Sequence, residues 1–313
     1  MRKLFLLLLP FTLLACAQQA EQNFELASQG LFDASISNDG TIALIASQRH
    51  GASLWNLNPL ERVFNWNHES NEYTQITHTH LSKNGNFAIT ARNNEWILWD
   101  AKTGKAQNFW QTPSNINSIA LSEDGSHALI GLASGDLWYT DTRSGNNVKE
   151  FQHADAIRSV ALSGNTALSG SDDNSATFWD LNTGKALKTL DLSNASRHVA
   201  FSHSGAHAFV SSLREDHFVI DTTNFTIKSQ INERYTVFNA AKFSNDDQRV
   251  YLANQQGYIQ VFDTSSGEEV SRYQAKRKHV FGVSRSVEDL AILTNELLAI
   301  TSDGQLQAFS ISN

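Results

Sequence analysis

Cysteine, methionine and proline are scarce in this chain of 313 residues, which has one cysteine, one methionine and three prolines. A single cysteine excludes a disulfide framework and a metal site built from several thiolates. Charged residues make up only 18%, with 24 basic against 32 acidic residues and a net charge of −8. Because nucleic-acid binding uses a basic surface, this balance argues against a nucleic-acid partner. The 41% of apolar residues is typical of a globular protein with a substantial core.

One long apolar run covers residues 4–14 and directly follows Arg2 and Lys3. Such a run is too short to cross about 30 Å of hydrocarbon as a helix. A basic start followed by a short apolar stretch is instead typical of a secretory signal. The sequence therefore predicts that the chain is exported.

The apolar run ends in the tetrapeptide Leu-Leu-Ala-Cys, which closes at Cys16, the only cysteine. This tetrapeptide resembles the bacterial lipobox, in which a peptidase cuts before a cysteine that carries acyl chains such as palmitate. The resemblance implies a lipoprotein signal peptide at residues 1–15 and a lipidated tether at residues 16–22, with Cys16 as the membrane anchor. Ala17, in place of aspartate, implies sorting to the outer membrane on its periplasmic face. An ordinary secretory signal with an incidental cysteine is the alternative.

A four-residue turn recurs between short β-rich segments. Its copies are SNDG at 37–40, SKNG at 82–85, SEDG at 122–125 and SHSG at 202–205. Asn-Gly and Asp-Gly pairs tolerate a positive φ and indicate β-hairpins. A second mark, usually an aromatic or aliphatic residue before aspartate, follows at positions 55, 99, 140, 179, 220, 262 and 309. The spacings of 44, 41, 39, 41, 42 and 47 residues indicate seven repeated units.

Four short strands fit each unit, and the third ends near a Trp-Asp pair such as Trp99-Asp100 or Trp179-Asp180. This pattern resembles the WD-repeat β-propeller family. The resemblance implies an all-β, seven-bladed β-propeller with four-stranded antiparallel blades, over residues 23–313. The last unit has only three strands, and the alternating segment at 23–27 has no unit of its own. We therefore expect an N-terminal strand to close the last blade.

In the WD-repeat family, a histidine, a serine or threonine, an aspartate and the third-strand tryptophan form a buried hydrogen-bonded set. The fourth unit matches this structural tetrad best, with His153, Asp173 and Trp179, and with either Ser169 or Ser171 as the hydroxyl. These residues are expected to hold the blade rather than to catalyse a reaction. The aspartate is retained in the seventh unit and replaced in the others, so apolar packing is expected to hold most blades.

No serine-hydrolase, P-loop, zinc-protease or EF-hand motif is found in the sequence, which predicts neither an enzyme nor a cofactor or metal site. His78 and His80 alternate along one strand and would share a face, but no third ligand is indicated. A Ca²⁺ site at the turn 172–174 is a second metal hypothesis, although the tetrad and the turn chemistry also account for its carboxylates. The alternative function is a periplasmic propeller enzyme or small-ligand binder that uses the central channel.

Propellers present one face formed by their b–c and d–a loops, where a to d name the strands of a blade from the channel outward. Protein interfaces are rich in tyrosine, tryptophan and arginine, and arginines suit a partner that carries carboxylates. The sequence therefore predicts a monomeric, lipid-anchored scaffold that binds another protein or peptide and no nucleic acid. The predicted partner-binding face contains Arg49, Arg92, Arg158, Arg197, Arg214, Tyr235 and Phe238.

Overall fold

Seven four-stranded antiparallel sheets surround a central channel, as blades of a β-propeller. The computed structural model describes residues 17–69, 73–278 and 285–311, and no helix occurs among these residues. The predicted all-β, seven-bladed fold is therefore confirmed. Cys16 and the predicted signal peptide at residues 1–15 lie outside the described residues.

The blades follow one another in chain order. Two short strands come first, β1 (Gln18–Gln19) and β2 (Gln22–Glu25). Blade 1 contains β3 (Leu31–Ile36), β4 (Ile42–Ser47), β5 (Gly51–Leu57) and β6 (Leu60–Trp66). Blade 2 contains β7 (His78–Leu81), β8 (Phe87–Arg92), β9 (Glu95–Asp100) and β10 (Ala106–Gln111). Blade 3 contains β11 (Ile116–Leu121), β12 (His127–Leu132), β13 (Asp136–Asp141) and β14 (Asn147–Gln152). Blade 4 contains β15 (Ile157–Ser163), β16 (Thr166–Ser171), β17 (Ser175–Asp180) and β18 (Lys185–Asp191). Blade 5 contains β19 (Ser196–Phe201), β20 (His207–Ser212), β21 (His217–Asp221) and β22 (Thr226–Gln230). Blade 6 contains β23 (Phe238–Phe243), β24 (Arg249–Asn254), β25 (Tyr258–Asp263) and β26 (Glu269–Gln274). Blade 7 contains β27 (Val287–Ile292), β28 (Glu296–Thr301), β29 (Gln305–Ser310) and the N-terminal strand β2.

The recurring SNDG-type turn joins strands a and b of a blade. In the first copy the Ser37 hydroxyl donates to Asp39 Oδ1 at 2.6 Å and accepts from the backbone N–H of Ile42 at 3.0 Å. Gly40 has a φ of 66°, and a Cβ at this position would lie 2.8 Å from Leu293 of blade 7. Serine, a polar residue at the third position and glycine therefore suit this turn, which explains why the motif marks the start of a blade.

The aspartate that follows the third-strand aromatic residue caps the turn between strands c and d. Asp100 Oδ1 accepts hydrogen bonds of 2.9 Å from the backbone N–H groups of Lys102 and Thr103. In blade 6, hydrogen bonds from the Ser265 hydroxyl and the Ser266 backbone lower the pKa of Asp263 to about 2. The aspartate of the second sequence mark is thus a turn residue, which explains why a Thr-Gly or Ser-Gly pair follows it in the same turn.

The hydrophobic core is divided into seven layers, each between two neighbouring blades. Between blades 1 and 2, for example, Leu44 and Leu54 pack with Leu81 and Ile97. Equivalent clusters lie at the other six blade junctions. The inner strands thus bury both faces against other blades, the outermost strands are largely exposed, and the ring is held mainly by apolar packing as expected.

The ring is closed by the N-terminal strand. β2 pairs antiparallel with β29, from Gln22 opposite Ala308 to Glu25 opposite Gln305, and it forms the outermost strand of blade 7. Leu26 follows β2 and is buried in the layer between blades 7 and 1. The prediction of an N-terminal closing strand is confirmed.

The segment between residue 17 and β2, expected to be part of a polar tether, also pairs with the propeller. Strand β1 runs parallel to β26 and places Gln18 opposite Tyr273 and Gln19 opposite Gln274. Ala20 is only 2% exposed because it packs in the layer between blades 6 and 7. Residues 17–22 are therefore held against the rim of blades 6 and 7.

Candidate functional site

The side chains of the blade 4 tetrad form a continuous hydrogen-bonded chain. His153 Nδ1 lies 2.9 Å from Asp173 Oδ2, and His153 Nε2 lies 2.7 Å from Ser169 Oγ. Trp179 Nε1 donates to the same hydroxyl at 2.8 Å. Ser169 therefore takes the hydroxyl position, whereas Ser171 donates to the backbone carbonyl of Asp155 at 2.8 Å. This arrangement satisfies an imidazole and an indole N–H inside the blade and leaves neither free for chemistry.

The carboxylate of Asp173 is ionised within this chain. Burial raises the pKa of Asp173, but hydrogen bonds from Ser175 and His153 offset this effect, so that the pKa lies below its ordinary value. The backbone N–H of Ala154 also donates to Asp173, at 3.0 Å. Asp173 thus fixes the start of the d–a loop as well as the histidine.

Blade 2 contains a related set that the sequence comparison of the units missed. His68 Nε2 lies 2.9 Å from Thr90 Oγ1, and Trp99 Nε1 donates to the same oxygen at 2.8 Å. Asn93 replaces the aspartate, and burial followed by the charge of Arg92 lowers the pKa of His68 to about 4. The d–a connection between His68 and β7 is longer than the one between His153 and β15. The spacing of the units therefore did not identify His68.

Three arginines of the predicted partner-binding face are paired with carboxylates of the chain itself. Arg158 Nε donates to Asp172 Oδ2 at 2.7 Å, and Arg197 Nη1 lies 3.6 Å from Asp172 Oδ1. Arg92 Nη1 lies 3.0 Å from Glu69 Oε1. Since Asp172 binds these arginines and Asp173 belongs to the tetrad, the carboxylates of the turn 172–174 are both engaged by side chains of the chain.

Two arginines and one tyrosine of the predicted face project into solvent. Arg49 and Arg214 are exposed in b–c loops, and Tyr235, in a d–a loop, is 78% exposed. Tyr235 has a φ of 58°, and its backbone N–H donates to the carbonyl of Arg214 at 2.7 Å. All three residues are thus exposed on the predicted face, but only Arg214 and Tyr235 are adjacent, since Arg49 lies in blade 1.

The structure corrects the predicted face at Phe238. This residue is only 1% exposed because it packs between blades 5 and 6, with its ring centroid 6.0 Å from that of Phe209 and 5.0 Å from that of His217. It begins β23, where its side chain faces the neighbouring blade rather than solvent. Phe238 is therefore a core residue and cannot contact a partner.

The central channel, of about 750 Å³, is lined by strand a of each blade. Its polar side chains connect neighbouring blades through backbone N–H groups. Ser35 Oγ accepts from Leu81 at 3.1 Å, and Ser159 Oγ accepts from Val199 at 3.0 Å. Asp289 Oδ2 closes the series by accepting from Ile36 at 2.8 Å, across the junction of blades 7 and 1.

Carboxylates, imidazoles and the cationic groups of lysines and arginines line the channel. Asp33 and Glu288 lie at the junction of blades 7 and 1, and Lys242 Nζ lies 3.6 Å from Asp289 Oδ1. His78 and His80 both line the channel, and burial lowers the pKa of each to about 4. Within the described ranges, no three ligating side chains are arranged to hold a metal ion.

Asp33 makes the stability of the ring depend on pH. Burial, with the nearby Glu288 and Asp289, raises its pKa to about 8 despite hydrogen bonds from Thr79 and Ala34. The folded chain therefore keeps a proton that the unfolded chain has lost, so stability should fall as pH rises from about 4 to about 8. Between pH 7 and pH 8 the expected loss from this group is about 1 kcal/mol.

Replacing Asp33 with asparagine should flatten this dependence. The urea midpoint of unfolding is measured at pH 7 and at pH 8 for each variant. The change in midpoint between the two pH values is compared as a slope, because D33N also alters the hydrogen bonds to Thr79 and so shifts the stability at both pH values. Asp191→Asn, on an exposed outer strand, is the matched control and should keep the wild-type slope. An equal slope in D33N and the wild type would show that Asp33 is ionised in the folded chain at neutral pH.

Comparison with known proteins identifies a repeat in blade 4. Residues 145–180 match the family described as WD domain, G-beta repeat. They include β16 and β17 and the tetrad residues His153, Ser169, Asp173 and Trp179. The chain thus carries a WD40 repeat in the blade whose polar set is most complete.

Relatives among characterised proteins align with other parts of the propeller as well. SAGA complex subunit Spt8 of Schizosaccharomyces pombe is 30% identical over 40% of this chain and 26% of its own length. Autophagy-related protein 16 of Arabidopsis thaliana is 24% identical over 75% of this chain and 47% of its own. Eukaryotic translation initiation factor 3 subunit I of Aspergillus oryzae is 24% identical over 64% of this chain and 62% of its own. This chain therefore aligns with less than two thirds of the length of each. No helix in the described part of the chain has the length and apolar character needed to span a bilayer.

Proposed function

We propose that the chain is a lipoprotein of the bacterial outer membrane, anchored on the periplasmic side through an acylated Cys16, and that its propeller binds another protein or peptide. The observation that carries the binding role is the solvent exposure of Arg214 with the adjacent Tyr235, and of Arg49 in blade 1, on one face of the ring. Tyrosine and arginine are the residues from which interface hot spots are built. Relatives whose names describe them as subunits of a complex or of an initiation factor support the same role.

The proposed anchor is consistent with the position of the N-terminal segment. Gln18, two residues after Cys16, is paired with Tyr273 at the rim of blade 6. An acyl chain on Cys16 would therefore leave the propeller close to this rim.

Two variants of the full-length chain in bacterial envelopes test the proposal. Cys16→Ser is expected to move the chain from the membrane to the soluble fraction, since the acyl chains supply the membrane affinity. The triple variant R49E/R214E/Y235A should remain in the membrane and should recover crosslinked partners at least about tenfold less well. Arg143→Glu is the control, because Arg143 is equally exposed but lies in a c–d turn on the opposite face. A membrane-bound C16S chain would contradict the anchor, and unchanged recovery by the triple variant would contradict the binding face.

The channel favours a second function, the binding of a small polar molecule. Asp33, Glu288 and Asp289 converge at the junction of blades 7 and 1, with one ammonium, that of Lys242, beside Asp289. Native mass spectrometry of the chain purified from envelopes distinguishes this function from a purely structural channel. A bound small molecule that Glu288→Gln releases would support it, and a bare mass would contradict it.

A further inference from the structure

A cleft of about 440 Å³ opens between blades 7 and 1. Its floor includes the indole of Trp55 and the side chains of Ala27 and Ile45, and its rim includes His50, Arg62 and Asn65. We refer to these six residues as the Trp55 cleft. In blade 4 the equivalent position is filled by the polar tetrad, and the absence of this tetrad from blade 1 explains why the cleft is present.

The apolar wall of the cleft stands where blade 4 has its polar tetrad. In blade 1, Trp55 lies opposite Ala43 and Ile45 lies opposite Ser53. In blade 4, Trp179 lies opposite Ala167 and Ser169 lies opposite Thr177. Trp55 therefore corresponds to Trp179, and Ile45 to Ser169. Ile45 thus replaces the tetrad hydroxyl. The backbone N–H of Leu26 donates to the carbonyl of Gly304, and the backbone N–H of His153 donates in the same way to the carbonyl of Gly135. Leu26 therefore takes the place of the tetrad histidine.

These replacements change what the tryptophan does. Trp179 donates to Ser169 inside the blade and has the His153 ring edge-on at 5.8 Å. Trp55 donates instead to Ser53 on its own strand, at 2.9 Å, and its ring is half-buried. The partly exposed ring of Trp55 is therefore the aromatic surface open to the cleft, while Ile45 and Leu26 behind it are buried. An exposed aromatic ring of this kind can receive one large side chain of a partner.

The rim of the cleft is positively charged. The guanidinium carbon of Arg62 lies 4.9 Å from the centroid of the Trp55 ring, and Arg62 Nη1 donates to Asn65 Oδ1 at 3.4 Å. In the ranges that the structure covers, Arg62 forms no ion pair, while the one carboxylate of the rim, Glu25, is paired with Lys278 at 3.0 Å. A guanidinium stacked on an indole keeps N–H groups at its edge, and these suit a carboxylate.

We propose that the Trp55 cleft binds a peptide segment of the partner that carries a large apolar side chain next to an aspartate or glutamate. The apolar side chain enters over Trp55, and the neighbouring carboxylate accepts hydrogen bonds from Arg62. The proposal rests on the proposed protein-binding function and assigns it a pocket and a peptide chemistry.

A random heptapeptide phage library, selected on the purified chain, provides the probe. The selected peptides are expected to combine a large apolar residue with an adjacent acidic one. Their affinity, measured by fluorescence anisotropy with labelled synthetic copies, should fall at least about tenfold in Arg62→Glu. In the same variant, copies with lysine in place of the acidic residue should bind more tightly than the original peptides. The control variant Arg143→Glu should leave both affinities unchanged.

Other outcomes separate this proposal from the proposed function. A library without enrichment, or selected peptides whose affinity R62E does not alter, would overturn the proposed peptide site while leaving the test of Arg49, Arg214 and Tyr235 intact. A concentration-dependent dimer that R62E dissolves would show that a second copy of the chain occupies the cleft, and would also overturn the proposal. Circular dichroism melting of R62E, expected to match the wild type, excludes unfolding as the cause.

Discussion

Replacing His153 with alanine is expected to lower the free energy of unfolding by about 3 kcal/mol. The imidazole is buried and connects Asp173 at 2.9 Å with Ser169 at 2.7 Å. Its removal leaves a cavity and takes one hydrogen-bond partner from a carboxylate and one from a buried hydroxyl. The loss of a buried charge-assisted hydrogen bond is among the larger effects that a single substitution can have.

Equilibrium urea unfolding, followed by tryptophan fluorescence, measures this loss. His203→Ala is the matched control, because His203 is exposed in an a–b turn of the next blade and should change the stability by less than about 0.5 kcal/mol. Hydrogen exchange should show that the extra opening of His153→Ala is centred on β15 and β16. If His153→Ala and His203→Ala unfolded at the same urea concentration, the tetrad would not contribute to the stability of blade 4.

Local chemistry explains which parts of the fold the sequence could predict. The a–b turn favours serine, a polar residue two positions later and glycine, as at Ser37, Asp39 and Gly40, so several blades carry this mark. Counting the second mark, the aromatic or aliphatic residue at the end of the third strand, yields seven units and leaves the segment at 23–27 without one. The closing strand follows from that remainder and needs no long-range information.

Contacts between elements explain what the sequence could not predict. The pairing of β1 with β26 involves two residues, and a parallel pair this short has no sequence pattern. The ion pair of Arg197 with Asp172 depends on how blades 4 and 5 meet. Phe238 looked accessible at the start of a strand, although its side chain faces the neighbouring blade.

The candidate site was predictable only in part for the same reason. Loop positions identified Arg49, Arg214 and Tyr235, which the structure leaves exposed. The Trp55 cleft arises because blade 1 lacks the polar residues that fill blade 4, and its depth depends on how blade 7 is closed by β2 and Leu26. A degenerate repeat therefore creates the most distinctive surface of this propeller, since the missing polar set leaves the tryptophan open.

The closing strand should have the largest effect on stability. A chain that lacks residues 17–27 loses the pairing of β2 with β29 and the buried side chain of Leu26, together about 4 kcal/mol. We expect the melting temperature to fall by about 10 °C, since 1 kcal/mol shifts a protein of this size by about 2–4 °C. The truncation also exposes the edge of β29, a strand that is otherwise covered on both sides, and an open edge of this kind favours self-association.

Differential scanning calorimetry and size-exclusion chromatography measure the two effects. A chain that lacks only residues 17–19 is the control, because it removes β1 and keeps β2 in place. It should melt within about 3 °C of the full chain and remain monodisperse, since two paired residues contribute little. The two truncations differ by eight residues, yet only the longer one opens the ring. Equal melting temperatures of the two truncated chains would mean that β2 and Leu26 do not stabilise the closed ring. The apolar layer between blades 7 and 1, which includes Ile45 and Ile300, would then close it alone.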